Sequence, residues 1–305
     1  MTRNPFHEGE IQVQQSVGEQ EIAHLNGRAI ATRIPSAARR FLSQQRLCVL
    51  ATVGADGAPW ATFYTGRTGF ISATEDLSAL ELELSLGHPA ANHALAVGMP
   101  AVGDPVGLLF IDLATRRRLR VNGSIAQVES TRLQITVQEA FPNCPKYIQR
   151  REIHETSAAL PVAAVESGTD LTPAAVEWIG RSDTAFVASA HPDGRLDASH
   201  RGGKSGFVRR RGEMLWIPDY PGNSLFNTLG NFAVNPRAGL TFVDFDNARQ
   251  LQLTGEVSLH LSVPEDIDQT GGTGRWWEFR PRRWIASPWN GPLGWKYVDA
   301  SPFNP

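Results

Sequence analysis

Two neighbouring stretches, six residues apart, decide how this chain folds: Ala198-Ser199-His200-Arg201-Gly202-Gly203-Lys204-Ser205-Gly206-Phe207-Val208 and then Leu215-Trp216-Ile217-Pro218-Asp219-Tyr220-Pro221-Gly222-Asn223-Ser224. Their pattern predicts two strands joined by a short turn, followed by a glycine-led entry into a helix. Arg201 and Lys204 place two cations just before a strand, and the first turn of a helix presents unpaired backbone N–H groups. Together such groups hold a phosphate. The alternative is an ordinary basic hairpin followed by a Gly-Asn helix cap.

Composition describes a globular protein with a substantial core. The chain has 305 residues, of which 41% are hydrophobic and 20% are charged. This length fits two domains of ordinary size. The formal net charge is −2 and the sequence pI is near 6.5, which argues against the large basic surface that nucleic-acid binding requires.

The N-terminal segment and the cysteines indicate the compartment. No apolar run approaches the length that spans a bilayer. Met1–Glu21 is polar, so we expect neither a secretory signal nor a membrane partner. Two cysteines, Cys48 and Cys144, do not make a disulfide framework. These features predict a cytoplasmic protein.

Regular structure is expected to begin after a polar N-terminal arm at residues 1–34, which we expect to pack on the main body. A helix with a serine cap is predicted from Ser36. Two β-hairpins are predicted at residues 47–64 and 105–129, because apolar runs flank turn residues such as Asp56-Gly57.

The second half of the chain repeats the first. Two blocks of matching residues occur in the same order, and the first block gives seven identities between residues 41 and 71. An internal duplication explains both blocks, and a chance likeness between two hairpins is the alternative. The matches are Asp56-Gly57 with Asp193-Gly194 and Gly69-Phe70 with Gly206-Phe207 at a shift of 137, and Gly107–Asp112 with Gly239–Asp244 at a shift of 132.

Many short antiparallel strands and few helices favour a closed or nearly closed barrel. We therefore predict a mainly β fold with some α, in which two tandem barrels form a pseudo-dimer, the covalent equivalent of a symmetric homodimer. The barrel units are predicted at residues 35–155 and 172–265, with a Trp-rich C-terminal extension at residues 266–305.

The two units differ where the phosphate is expected. The residues after Gly222 have apolar side chains at helical spacing, which predicts a helix that begins there. A shift of 132 from Gly222, Asn223 and Ser224 leads to Ala90-Ala91-Asn92, which lacks the glycine-asparagine entry. If only one unit binds phosphate, the sequence predicts that it is the second.

A set of segments, taken in order along both units, is informative as a whole. In the second unit it runs over Ser199–Asp244, and in the first it comprises Asp56-Gly57, Pro59-Trp60, Gly66, Gly69-Phe70-Ile71, Arg116–Gly123 and Phe141–Arg150. Together these segments resemble the pyridoxamine 5'-phosphate oxidase-like family of FMN-binding split barrels, in its tandem, flavin-nucleotide-binding branch. The resemblance covers most of the chain from about 35 to 260, and the order of the segments carries it.

The resemblance implies a six-stranded barrel in each unit, with FMN in a groove between the two units. By position, Arg201 and Lys204 hold the phosphate or the flavin edge, and Pro218 and Asp219 run beside the isoalloxazine. The implied cofactor-binding residues are Ser199, Arg201, Lys204, Pro218, Asp219, Gly222, Asn223 and Ser224 from the second unit, with Arg67 and Lys146 from the first.

The C-terminal tail departs from the family. The oxidase proper carries an Arg-x-His element for its pyridoxal phosphate substrate, whereas Arg275–Trp284 contains no histidine. The resemblance therefore implies a flavin site without implying this substrate. The tail holds five of the eight tryptophans, which either clamp it onto the barrel or stack, with neighbouring arginines, on a ligand.

Cysteine and histidine positions add little chemistry. Lys146 would lower the pKa of a nearby Cys144 thiol and make it reactive; the alternative is a structural cysteine in a rigid proline-bounded turn. His88 and His93 have no clear third ligand, so no metal site is predicted. His200 either faces the flavin or points away from it.

The main hypothesis is an FMN-binding oxidoreductase of the pyridoxamine 5'-phosphate oxidase-like type that acts on a small-molecule substrate. Flavin redox chemistry needs no strong side-chain acid or base, and no catalytic dyad is recognisable in the sequence. Two alternatives stay open: a non-catalytic flavin-nucleotide-binding carrier or sensor, and a haem-binding split barrel with an axial His, Cys or Tyr. Further homo-oligomerisation is left open, and nucleic acid and membrane partners are not expected.

Overall fold

A computed structural model describes residues 4–88, 101–155, 164–289 and 292–305. The described residues form short helices, two large sheets of antiparallel strands and one small two-stranded sheet. The helices are α1 (Glu8–Val17), α2 (Gln20–Gly27), α3 (Arg39–Ser43), α4 (Pro173–Arg181) and α5 (Asn227–Val234). The strands up to residue 155 are β1 (Leu47–Val53), β2 (Pro59–Gly66), β3 (Ile71–Ala73), β4 (Ala79–Glu83), β5 (Gly87–His88), β6 (Pro105–Asp112), β7 (Arg117–Val128), β8 (Arg132–Asn143) and β9 (Arg150–Glu155). The later strands are β10 (Glu166–Gly168), β11 (Thr184–Ala190), β12 (Leu196–Gly202), β13 (Arg209–Arg211), β14 (Met214–Pro218), β15 (Arg237–Asp244), β16 (Arg249–His260), β17 (Trp276–Pro288) and β18 (Leu293–Asp299).

The two large sheets have the same strand order. The first runs β3-β4-β8-β7-β6-β1-β2, with β5 added at its end, and the second runs β13-β14-β17-β16-β15-β11-β12, with β10 paired to β17. Equivalent strands are separated by the shifts found in the sequence, 137 for β1 and β11 and 132 for β7 and β16. The prediction of a mainly β fold with two tandem split barrels in a pseudo-dimer is confirmed.

The predicted hairpin at residues 47–64 and its counterpart in the second unit each turn at a glycine. Between β1 and β2, Gly57 has a φ of +74°, and between β11 and β12, Gly194 has a φ of +97°. Residues with a Cβ rarely adopt this conformation. The strand pairs on either side are antiparallel and in register over their full length.

The hydrophobic core has three parts. One cluster fills the first barrel around Phe70 and Phe110, and another fills the second around Phe242 and Trp277. The third contains apolar side chains from both units, including Phe63, Phe186, Leu109 and Val243. Because this shared core is buried by both barrels together, it holds the units in one fixed arrangement.

Backbones meet across the pseudo-twofold interface at two equivalent glycines. A Cβ on Gly239 of β15 would lie 2.6 Å from the Pro59 carbonyl oxygen and 2.8 Å from Trp60 Cα of β2. A Cβ on Gly107 of β6 would lie 2.9 Å from the Ala198 backbone nitrogen of β12. Glycine at both positions therefore lets the strands of one unit pack directly on those of the other.

The N-terminal arm packs on the main body, as expected, through α1 and α2. Gln14 Nε2 donates to the Leu225 carbonyl at 3.3 Å, and Asn26 Nδ2 donates to the Asn223 carbonyl at 2.8 Å. The serine cap predicted at Ser36 is wrong, because a 3₁₀ turn begins there and its side chain makes no cap hydrogen bond. Among the described residues, no helix combines the length and apolar character needed to cross a membrane.

The Trp-rich tail is divided between two sheets. Strand β17 pairs with β14 and β16 inside the second sheet, and β18 pairs with β9. Because β17 is an inner strand of that sheet, we propose that the second unit extends beyond residue 265 to Pro288, which shortens the C-terminal extension.

Candidate functional site: a cationic cavity at the seam

A cavity lies at the seam between the two units. The first unit contributes β7 and the segment after β8, and the second contributes the ends of β12 and β14 and the loop into α5. The lining residues are Arg118, Arg120, Cys144, Lys146 and Tyr147 from the first unit, and His200, Arg201, Gly202, Phe207, Pro218, Asp219, Tyr220, Gly222, Asn223, Ser224, Phe226, Asn227, Thr228, Leu229 and Arg275 from the second.

The cavity is strongly cationic. Its cations are Arg118, Arg120, Lys146, Arg201 and Arg275, whereas Asp219 is the one carboxylate in the described lining. An excess of like charge in a cleft focuses the field and attracts an oppositely charged ligand. The cavity is therefore suited to an anion.

Carboxylates neutralise part of this charge. Asp219 accepts from Arg201 Nη1 at 2.6 Å and from Arg275 Nε at 2.9 Å, so it is shared between two arginines. Arg120 Nη1 donates to both oxygens of Asp197 at 3.1 Å. These pairs fix the guanidinium groups in place.

Arg118 differs from the other arginines. Its Nε donates to the Cys144 carbonyl at 2.8 Å, and its Nη1 lies 3.2 Å from His200 Nδ1. It has no carboxylate partner within the described part of the chain. Burial and the nearby charge of Arg120 lower the pKa of Arg118 to about 9, so it stays cationic at neutral pH. A partly buried cation with no counter-ion is stabilised by a bound anion.

His200 lines the cavity as a buried histidine. Its side chain is 6% exposed, and burial together with the surrounding arginines holds the pKa of His200 well below 6.5. Because Arg118 can only donate, Nδ1 of the neutral imidazole accepts and Nε2 carries the proton. Nε2 has no hydrogen-bond partner among the described residues, so its N–H is a buried donor that nothing in this part of the chain satisfies.

The helix predicted to begin after Gly222 begins at Asn227. The intervening loop turns through left-handed conformations at Ser224, with a φ of +61°, and at Phe226, with a φ of +60°. Gly222 does not have a positive φ, and a Cβ there would have its nearest neighbour 3.9 Å away. The backbone conformation at Gly222 is therefore open to residues that carry a side chain. The helix N-terminus at the cavity belongs to Asn227 and Thr228.

The structure gathers seven of the ten predicted site residues around the cavity: Lys146, Arg201, Pro218, Asp219, Gly222, Asn223 and Ser224. Ser199 lies behind the wall, fully buried, and its Oγ accepts from Thr228 Oγ1 at 2.9 Å. Lys204 and Arg67 are exposed and do not line the cavity. They follow equivalent strands, β12 and β2, and leave the sheet at the turn, so their side chains face solvent.

Several residues of the cavity escaped prediction from sequence. Arg118 and Arg120 alternate on β7, and this spacing puts both on one face of a strand; that signal was present in the sequence. Tyr147 and Arg275 have no comparable local signal, because only the packing of the two units brings them to the seam.

The cavity is narrow, with a volume of about 90 Å³. The rings of Tyr147 and Tyr220 lie 4.9 Å apart, and Arg201 is paired with Asp219.

The N-terminal arm covers the loop beside the cavity. Glu19 accepts from Arg275 Nη1 at 2.7 Å and from Ser224 Oγ. Glu10 accepts from Asn227 Nδ2, and burial raises the pKa of Glu10 to about 8. The arm therefore places acidic groups against polar residues that also face the cavity.

The tail tryptophans, Cys144 and His93 were also considered as functional residues in the sequence analysis. All five tail tryptophans are buried and none lines the seam cavity, which favours the clamp interpretation. Cys144 lines the cavity as a free thiol, and its reactivity stays a prediction. His93 lies outside the described residues.

One cluster of possible metal ligands occurs in the described chain, where His7, Glu8 and His191 bring ligand atoms within 4.8 Å of one another. Glu8 lies 3.0 Å from His191 Nε2, and Asp193 lies 2.8 Å from His191 Nδ1. His7 Nδ1 accepts from the Gly9 N–H at 3.1 Å. These hydrogen bonds explain the cluster as an anchor for the arm.

The equivalent seam on the other side of the pseudo-twofold is different. Gln250 and Gln252 stand at the positions of Arg118 and Arg120, and Phe63 and Tyr64 stand at those of His200 and Arg201. Gln250 Oε1 accepts from the Phe63 backbone N–H at 3.0 Å, so the Gln250 side chain binds the backbone of β2 across the interface. The predicted counterpart of the phosphate loop, Ala90-Ala91-Asn92, lies outside the described residues.

Comparisons with known proteins place this geometry in context. The family model described as pyridoxamine 5'-phosphate oxidase matches residues 34–143 and again residues 171–281. No curated protein matches the chain.

Among similar solved structures, HupZ of Group A Streptococcus is 12% identical over 43% of this chain and 98% of that chain, with a TM-score of 0.31. HutZ, the heme storage protein of Vibrio cholerae, is 16% identical over 42% and 96%, with a TM-score of 0.26. A Clostridium acetobutylicum protein related to general stress protein 26, of the pyridoxinephosphate oxidase family, is 12% identical over 41% and 92%, with a TM-score of 0.26. Scores of this size carry no argument about function.

Proposed function

The chain belongs to the pyridoxamine 5'-phosphate oxidase family, and from this premise we propose that it is an FMN-binding oxidoreductase with its cofactor in the seam cavity. The observation that carries the proposal is the cluster of cations at the seam, in which Arg118 has no described carboxylate partner. Bound FMN supplies transfer of hydride or electrons to and from a small substrate. The chain supplies binding, orientation and charge.

The residues of the cavity fit a flavin nucleotide. A phosphate dianion is matched by Arg118, Arg201 and the first turn of α5, with Asn223 and Ser224 close by. The flavin ring carries hydrogen-bond acceptors along its polar edge, and the His200 Nε2 proton is a buried donor without a partner. Pro218 and Asp219 of the β14 end would run beside the ring.

A haem site is the second candidate, because His200 is a buried, neutral imidazole in the cavity. Its hydrogen bond from Arg118 argues against this role, since iron ligation through Nε2 requires the proton on Nδ1. The visible spectrum of the purified protein separates the candidates: flavin bands support FMN, and a Soret band supports haem. Bleaching by a reduced nicotinamide, followed by reoxidation by an acceptor, separates an oxidoreductase from a carrier.

Paired variants test the position of the site. We expect Arg118→Ala and Arg201→Ala each to weaken FMN binding about tenfold or more, because a charge-assisted hydrogen bond contributes roughly 1.5–3 kcal/mol. Lys204→Ala is the matched control, since this lysine is exposed and does not line the cavity. Titration of each apoprotein with FMN, followed by flavin fluorescence, gives the FMN affinities of the parent and of the three variants. Equal affinities in all variants would place the phosphate elsewhere.

A further inference from the structure

An apolar groove on the first unit adjoins the seam cavity. It runs between the turn at Ser36–Ala38 with α3 and the adjoining ends of β7 and β8, and its volume is about 430 Å³. No aspartate or glutamate of the described chain lines it. Its apolar wall is formed by Pro35, Ala38, Phe41, Leu119, Pro142 and Pro145.

Arg118 belongs to the linings of both the groove and the cavity. Its guanidinium group is held on the cavity side by the Cys144 carbonyl and His200. The part of Arg118 left to the groove is therefore its methylene stem, which is itself apolar. Arg118 therefore borders both spaces.

The other two arginines of the groove have different roles. The Arg116 guanidinium already has partners within the protein, because it forms an ion pair with Asp299 and donates from Nε to the Ile148 carbonyl at 2.8 Å. Arg117 is exposed, and its guanidinium carbon lies 5.0 Å from the centroid of the Phe41 ring. Arg117 has no ion pair within the described chain. The groove therefore contains a cation that lies over an aromatic ring and that no described carboxylate neutralises.

From this arrangement we propose that the groove is a second ligand site beside the seam cavity and binds a planar, apolar molecule with one anionic group, such as an aromatic carboxylate. Arg117 holds the anionic group, Phe41 and the prolines hold the ring system, and the Arg118 stem lies between this molecule and the seam cavity. Binding in the groove does not depend on the proposed function.

The test uses two probes of the same shape, 2-naphthoate and its neutral analogue 2-naphthamide, with the full chain free of added flavin. We expect saturable binding of one 2-naphthoate per chain, measured by its fluorescence, and about tenfold weaker binding of 2-naphthamide. Arg117→Gln removes this preference for the anion. Arg40→Gln is the matched control, because Arg40 is an exposed arginine of α3 that does not line the groove.

A second variant, Ala38→Trp, fills the groove and abolishes binding of both probes, with circular dichroism to check that it is folded. The proposal is overturned if 2-naphthoate does not saturate, if both probes bind equally, or if Arg117→Gln changes binding no more than Arg40→Gln does. FMN titration of Arg117→Gln keeps the two proposals apart, since Arg117 does not line the seam cavity. A chain that binds 2-naphthoate in the groove but takes up no FMN upholds the groove and refutes only the flavin site.

Discussion

At the scale of single residues, the contact between Arg118 and His200 sets the chemistry of the cavity. The two residues are 82 positions apart in the chain and come from different units. Arg118 forces the imidazole to keep its proton on Nε2, and the imidazole takes the place of a carboxylate partner for Arg118. The pair therefore offers a cation and a neutral donor to one ligand.

This contact predicts how stability depends on pH. Burial and the charges of Arg118, Arg201, Arg151 and Arg120 depress the pKa of His200 below its unfolded value of 6.5. Below pH 6.5 the unfolded chain binds a proton at His200 that the native chain does not. Stability therefore falls as the pH decreases, by up to about 1.4 kcal/mol per pH unit.

The measurement is urea unfolding between about pH 7.5 and pH 5.5 for the parent and for His200→Gln. The variant lacks the titrating group, so we expect the parent to lose stability relative to it as the pH falls. His24→Gln, at an exposed histidine of α2, is the control and keeps the parent's pH dependence. Parallel curves for parent and His200→Gln would refute the neutral histidine.

At the scale of secondary structure, close strand packing joins the two units. Strand β15 lies against β2, and β6 lies against β12, through the glycines at positions 239 and 107. Thr241 Oγ1 and Gln252 Nε2 both donate to the Ala61 carbonyl beside this contact. The interface is therefore a backbone contact with hydrogen bonds as well as a buried apolar surface.

Gly239→Ala is expected to destabilise the protein by about 1–3 kcal/mol, because its Cβ would meet backbone atoms of Pro59 and Trp60 that cannot move independently. Gly180→Ala is the matched control: it lies in α4, has nothing within 4 Å of a Cβ, and gains up to about 1 kcal/mol of helix propensity. Chemical denaturation measures both changes. A Gly239→Ala variant as stable as the parent would contradict the close packing.

At the scale of the whole molecule, duplication has produced two seams with different surfaces. One seam is cationic, and the other carries Gln250, Gln252, Phe63 and Tyr64 at the equivalent positions. A phosphate on the second seam would have neither Arg118 nor Arg120 to bind. The pseudo-dimer therefore differs from a symmetric homodimer, which presents two identical sites.

We expect FMN titration of the apoprotein to reach saturation at one FMN per chain. Fluorescence quenching at protein concentrations well above the dissociation constant gives this stoichiometry, and Arg118→Ala provides the control with the seam cavity weakened. Two equivalent FMN molecules per chain would show that the glutamine-lined seam also binds the cofactor.

The sequence by itself determined the hairpins, the duplication and the mainly β class, because apolar periodicity and turn glycines act between near neighbours. The resemblance of its segments to a known family also implied Arg201 and Asp219 as site residues. The sequence misplaced the start of α5, because the left-handed turns at Ser224 and Phe226 depend on contacts with the arm.

Only the tertiary structure decided which cations face the seam. Lys204 and Arg201 are three residues apart, yet one is exposed and the other lines the cavity. Arg118 reaches the same cavity from the other unit, and the groove beside it forms only where α3 meets the ends of β7 and β8. Such placement depends on how two barrels pack against each other, and no local pattern in the chain encodes that packing.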